Sequence, residues 1–161
     1  MTSFELLTAA LDREQVEYVI VGGVAATAHG SPRFTQDLDI VYSRSPENID
    51  RLVRALAPLS PYPRGAPPGL PFYWDAKAIR NGLNFTLITS AGWIDLLGEI
   101  AGGGTFESLE PNSIEMEIFG RKCRVLALPA LIESKLAAGR PKDMESLAEL
   151  RQILAQSPAR K

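Results

Sequence analysis

Two acids set into an apolar strand constrain this chain more than any other feature. Residues 18–41 read YVIVGGVAATAHGSPRFTQDLDIV: an apolar run ends at Gly22-Gly23, a small-residue segment follows, and a second apolar run carries Asp37 and Asp39 around Leu38. Side chains at i and i+2 of a strand share a face, so Asp37 and Asp39 project together while Leu38 and Ile40 turn into a core. Charge among apolar residues is costly without a partner, and two adjacent carboxylates repel unless a cation lies between them. Mg²⁺ suits such a pair, because it prefers oxygen ligands and keeps positions free for water and phosphate.

The glycine pair extends this reading. Residues 16–21 (VEYVIV) are apolar on both faces near their end, as in a strand at a sheet centre, and Gly22-Gly23 ends it. Residues 24–30 (VAATAHG) predict a short helix that closes on Gly30. Such a helix turns its free N–H groups and positive dipole end back toward the glycines, which favours phosphate. Ser31-Pro32 predicts a turn, and residues 34–42 the acid-bearing strand. Residues 84–100 (NFTLITSAGWIDLLGEI) hold two more strand candidates around Ala91-Gly92, and Asp95 stands there between Ile94 and Leu96. Its apolar context repeats that of Asp37 and Asp39; Asp75 and Glu99 are the other acids that could join them.

The remaining chain supplies the scaffold. A first helix starts at Thr2, with Thr2 and Glu5 at capping-box spacing and Phe4, Leu7 and Leu11 on one face. A polar break at residues 12–15 follows it. Ser45 and Pro46 open an amphipathic helix with Ile49, Leu52, Val53 and Leu56 on its apolar stripe and Asp50 and Arg54 paired on its wet side. Six prolines and two glycines in residues 58–71 argue against regular structure, so this stretch reads as a stiff surface connector. Glycines 102–104 read as a flexible loop. IEMEIFG and KCRVLAL alternate as a hairpin around Gly120-Arg121, with Met116, Ile118, Cys123 and Val125 facing inward. Helices over 130–138 and 141–156, broken at Gly139, close the chain. His29 reads as a satisfied, partly buried side chain beside a turn.

At 161 residues the chain is expected to form one domain, with 45% hydrophobic and 22% charged residues, as in soluble globular proteins. It has no apolar run long enough for a bilayer, its amino terminus lacks a signal-peptide pattern, and its one cysteine cannot form an internal disulfide. A cytoplasmic protein with no membrane contact is the expectation. Net charge is −2, but residues 1–111 carry 8 basic against 13 acidic side chains and residues 112–161 carry 9 against 6. A basic half beside an acidic site is compatible with a polyanionic substrate, although such an excess is also the ordinary state of a solvated surface.

Val21-Gly22-Gly23, thirteen residues, and then Asp37-Leu38-Asp39-Ile40 together resemble the signature of the DNA polymerase beta-like nucleotidyltransferase superfamily. The closing segment ALIESKLAAGRPKDMESL, residues 130–147, resembles the helical end of small bacterial nucleotidyltransferases related to the AbiEii toxins of type IV toxin–antitoxin systems. The resemblance implies an α/β nucleotidyltransferase fold: a mixed central sheet flanked by helices, with a core over 1–128 and a helical segment over 129–157. It implies two Mg²⁺ ions and a nucleoside triphosphate substrate, with a nucleoside monophosphate passed to an acceptor hydroxyl and pyrophosphate released. By the same resemblance Asp37 and Asp39 hold the metals, Asp95 holds the second metal and helps activate the acceptor, and Gly22 and Gly23 cradle the phosphates. Arg33 and Thr35 approach the triphosphate, and Lys135, Arg140 and Lys142 bind it, with Asp143 orienting one of them. Many relatives carry Ser at the second glycine, where Gly23 offers only its N–H. The implied partners are an RNA or protein acceptor and a cognate antitoxin. Two other classes stand beside this one: a catalytically silent module that binds nucleotide or a partner, and a nucleic-acid-binding domain using the basic carboxy-terminal half.

Overall fold

The computed structural model describes residues 1–156. The first helix, α1 (Phe4–Arg13), is capped by Ser3, whose Oγ accepts the Leu6 N–H at 3.2 Å. Thr2, the expected cap, instead accepts the Trp93 N–H at 3.0 Å and so belongs to the sheet. The helix also continues through the expected break at Asp12, and the turn comes at Gln15, which adopts φ 58°. Leu7 and Leu11 are buried on its inner face.

Strand β1 (Tyr18–Val21) is buried along its whole length, as expected of a central strand. Helix α2 (Gly22–Ala28) begins at the glycines themselves and not at residue 24. Strand β2 (Asp37–Tyr42) begins at the first acid, three residues later than predicted. Leu38 and Ile40 are fully buried on one face while Asp37 and Asp39 are half-buried on the other. Helix α3 (Pro46–Leu56) matches its prediction, with the Ser45 hydroxyl accepting the Asn48 N–H. Its buried Asn48 accepts the Glu17 N–H at 2.7 Å and donates to the Glu17 and Ser43 carbonyls, tying α3 to the entry of β1. Arg54 pairs with Glu14 at 3.1 Å, not with Asp50, because Glu14 at the end of α1 comes within its reach.

The proline-rich segment is more ordered than its composition suggested. It contains a 3₁₀ turn at Ala57–Leu59 and a two-residue strand, β3 (Tyr62–Pro63). Pro63 is tolerated there because β3 is an edge strand. Helix α4 (Ala76–Asn81) follows, then strands β4 (Asn84–Thr89) and β5 (Gly92–Leu97). Glycines 102–104 form a turn closed by reciprocal backbone bonds between Ile100 and Gly104. After the short helix α5 (Phe106–Leu109) come β6 (Ser113–Ile118) and β7 (Arg121–Leu126), the predicted hairpin, with Cys123 and Val125 buried and Met116 and Ile118 partly so. Helix α6 (Leu128–Ala138) starts two residues before the prediction, and Gly139 at φ 64° separates it from α7 (Pro141–Gln156). The expected helical boundary at 157 lies outside the described residues.

The seven strands form one mixed sheet in the order β3-β4-β5-β2-β1-β7-β6. β2 runs parallel to β5 and β1 parallel to β7, and the other neighbours are antiparallel. Helix α1 packs on α3 and β5, α2 on α6, and α6 on α7. Thus the carboxy-terminal helices reach the same part of the sheet as the glycine pair. Among the described residues no helix is long and apolar enough to cross a membrane.

Candidate active site

The site is built by register. In the parallel pair β2–β5, Asp39 lies directly opposite Asp95, and Asp37 opposite Trp93. Oxygen atoms of Asp37, Asp39 and Asp95 therefore come within 4.8 Å of one another. Burial first, then the negative charges of Asp37 and Asp95, push the Asp39 carboxyl up to about 8. Burial also raises that of Asp95, against the opposing effect of Arg64. Asp39 Oδ1 is buried without a hydrogen-bond partner. An all-oxygen set with too little positive charge and an orphaned buried oxygen fits a hard divalent cation.

The glycines let the start of α2 sit close against β2 and the residues before it. Gly22 adopts φ 65°, and a Cβ there would collide with the Asp39 carboxylate. At Gly23 a Cβ would lie 2.6 Å from Thr35 Oγ1. Thr35 donates to the Asp37 carbonyl at 3.3 Å, so it braces the start of β2 beneath the helix. The expected dipole contribution is small, because α2 is only seven residues long and its first turn is the glycine pair.

A cavity of about 430 Å³ is lined by Gly22, Asp39, Asn84, Glu99, Lys135 and Arg140 among others. Asp143 organises the two basic residues. Its buried carboxylate accepts from Arg140 Nε at 2.8 Å and lies 3.6 Å from Lys135 Nζ. Hydrogen bonds from Arg140 hold it below the ordinary carboxylate range. The expectation that Asp143 orients a basic neighbour thus has a geometric counterpart, and it contacts two.

Arg33 pairs with Glu145 and Glu149 of α7 at 3.5 and 3.4 Å, because α7 folds back beside the 31–35 turn, and it lines a smaller cavity with Gly23, Thr35 and Lys135. Lys142 is exposed and does not line the cavity. Asp75 caps α4 through the Ala78 N–H at 2.8 Å, and Glu99 is an exposed residue of the cavity wall, so neither joins the three clustered acids. His29 is buried and hydrogen-bonded to the Leu126 carbonyl at 2.9 Å, as its sequence context suggested.

Sequence reading missed Arg64. It follows β3 in the proline-rich segment, and its guanidinium reaches Asp95 Oδ1 at 2.8 Å and Asp37 Oδ2 at 3.8 Å. It also donates to the Leu87 carbonyl at 2.9 Å and lies 4.6 Å from the centre of the Trp93 ring. No local signal pointed to it, since a lone arginine among prolines has no periodicity and its partners are about thirty residues away.

No family model matches the sequence, and no curated protein matches it. Solved structures do. A provisionally assigned nucleotidyltransferase of Thermotoga maritima, TM1012, aligns over 94% of this chain and 96% of its own, with 19% identity and a TM-score of 0.59. The antibiotic-resistance factor ANT(2'')-Ia, in its solution structure, aligns over 96% of this chain and 89% of its own, with 19% identity and a TM-score of 0.57. Its crystal structure with adenylyl-2''-tobramycin covers 96% and 94%, with 17% identity and a TM-score of 0.56. These neighbours are nucleotidyltransferases, and the mixed α/β fold of this chain is theirs.

Proposed function

We propose that the chain is a metal-dependent nucleotidyltransferase that moves a nucleoside monophosphate from a nucleoside triphosphate to an acceptor hydroxyl. The observation that carries this reading is the cluster of three carboxylates, one of which, Asp39, lines a cavity that the oriented cations Lys135 and Arg140 also line. That combination suits a metal–triphosphate: acids for the ions, Lys135 and Arg140 for the phosphate oxygens. The helical segment over 129–157 would then complete a single nucleotidyltransferase-like domain whose core spans 1–128, because Lys135 and Arg140 belong to that segment.

Asp37 and Asp39 would hold Mg²⁺, with Asp95 joining Asp37 in holding a second ion. When bound, these ions would neutralise the phosphate charge that develops in transfer. Gly22 and Gly23 leave room for the phosphates beside Asp39. Asp143 fixes Lys135 and Arg140 so that little side-chain freedom is lost on binding. As the acceptor oxygen bonds to the α-phosphorus, the bond to the β-phosphate oxygen breaks, pyrophosphate leaves, and the hydroxyl proton passes to Asp95. The acceptor classes that follow from the sequence resemblance are RNA and protein, with the chain as a cytoplasmic toxin neutralised by an antitoxin. The adenylyl-tobramycin bound to ANT(2'')-Ia adds a small hydroxylated amine as a third class.

The test is transfer of label from each of four α-labelled nucleoside triphosphates, with Mg²⁺, to cellular RNA, protein or an aminoglycoside. Labelling that disappears in Asp37→Ala/Asp39→Ala supports the reading and identifies nucleotide and acceptor together. A second reading, a catalytically silent nucleotide- or partner-binding module, is favoured by the ion pair that Asp95 makes with Arg64. Under it, nucleotide binds without labelling, and Asp95→Ala changes nothing measurable.

A further inference from the structure

We propose that Arg64 is the acid cluster's built-in countercation: its guanidinium occupies the place between Asp37 and Asp95, and a second divalent ion enters there only by displacing it. This rests on the metal-site reading above and concerns a residue which that reading does not use.

The two places for an ion differ. Asp39 Oδ1 is buried and without a hydrogen-bond partner. Between Asp37 and Asp95, the two terminal nitrogens of Arg64 face one carboxylate each, at 3.8 and 2.8 Å. An ion bridging those carboxylates would bond directly to the oxygens that the guanidinium now faces. Repulsion between like charges adds to this exclusion.

Arg64 is also held there. Its backbone N–H donates to the Thr86 carbonyl at 2.9 Å, next to the β3–β4 pairing. Its guanidinium bonds to the Leu87 carbonyl and stacks over Trp93. Its side chain is only 19% exposed. Backbone pairing fixes where the arginine starts, and the ring and carbonyl fix where it ends. Charge gives the same order of events. Three carboxylates, one guanidinium and one divalent ion balance, so a second ion becomes favourable only when a triphosphate arrives or Arg64 is removed. Wild type without nucleotide therefore takes one ion.

The experiment is a calorimetric titration of the full chain with Mn²⁺ alone, in wild type, Arg64→Met and Arg64→Lys. Met removes the charge and keeps an unbranched stem to lie on Trp93. Wild type should bind one Mn²⁺ and Arg64→Met two, with the second at least roughly tenfold tighter than any second binding in wild type. Metal-free Arg64→Met should also melt lower than wild type, and Mn²⁺ should close that gap. Arg64→Lys keeps the charge but faces one carboxylate at a time, so it should admit the second ion at an intermediate concentration; it also stands in if Arg64→Met fails to fold. Wild-type titrations in the variants, or weaker Mn²⁺ binding, overturn the proposal and leave Arg64 as a support for Asp95 alone. A parallel Asp37→Ala/Asp39→Ala titration separates the two failures. Mn²⁺ uptake that survives this double change removes the metal-site reading and the Arg64 proposal together; uptake that is lost there but unaltered in the Arg64 variants removes the Arg64 proposal only.

Discussion

The acid cluster and the basic group around Asp143 handle buried charge in opposite ways. In the basic group, one buried carboxylate, Asp143, contacts two cations, and its proton affinity falls. In the acid cluster three carboxylates share Arg64, the Asp39 and Asp95 carboxyls are pushed up, and one buried oxygen has no partner. The basic group is complete as it stands and contributes to the fold. The acid cluster is held together by strand register against its own repulsion, and a cation would relieve it. A region held at a cost in the free protein is where function is to be sought.

Changes in each group should separate these roles. The largest effect belongs to Asp37→Ala/Asp39→Ala. Loss of metal-holding oxygens should lower label transfer beyond the roughly 10 to 100-fold typical of changes one shell further out. The metal-free melting temperature of that variant should not fall, because repulsion is removed along with the side chains; a large fall would make the two groups alike. Next comes Lys135→Ala, which removes a charge-assisted contact worth about 1.5–3 kcal/mol and should raise KM for the triphosphate roughly tenfold or more. Asp143→Ala should instead act on the fold, lowering the denaturant midpoint by an amount equivalent to about 1–3 kcal/mol.

Acidification sharpens the same contrast. The folded Asp143 carboxyl titrates below its unfolded value, so its contribution is fully present above the ordinary aspartate pKa of about 3.9 and is lost as pH falls through the lower folded value. Unfolding curves below pH 4 should therefore converge for wild type and Asp143→Asn, having been well separated at pH 7. The smallest effect is expected of Lys142→Ala. Exposed and away from the cavity, this residue should change stability by less than about 0.5 kcal/mol and leave KM unaltered. A Lys142 effect equal to that of Lys135 would show that the cavity extends further along α7.

Much of the site was readable before the fold was known, for identifiable reasons. Asp37 and Asp39 were visible because strand alternation is a local rule, and two acids opposite Leu38 and Ile40 break the usual economy of an apolar segment. Asp95 was visible for the same reason. Gly22 was visible as a turn, but the need for glycine arises from the Asp39 carboxylate seventeen positions later. Arg33 was expected near the triphosphate because it lies just before the acids, and Lys142 because the segment resembles relatives that carry basic residues there. The pairing of Arg33 with Glu145 and Glu149 is set by the packing of α7.

Local residue patterns suffice for the alternation that puts both acids of β2 on one face, the capped helix at Ser45-Pro46, the hairpin of β6 and β7, and the break at Gly139. Each depends on residues within a few positions of one another, where covalent geometry limits the outcomes. Long-range packing was needed to set Asp95 beside Asp39, to bring Lys135 and Arg140 to Asp143, and to face Arg64 with both Asp37 and Asp95. Those contacts follow from which strands pair and in what register, an outcome of burying the whole apolar surface at once that no local spacing encodes.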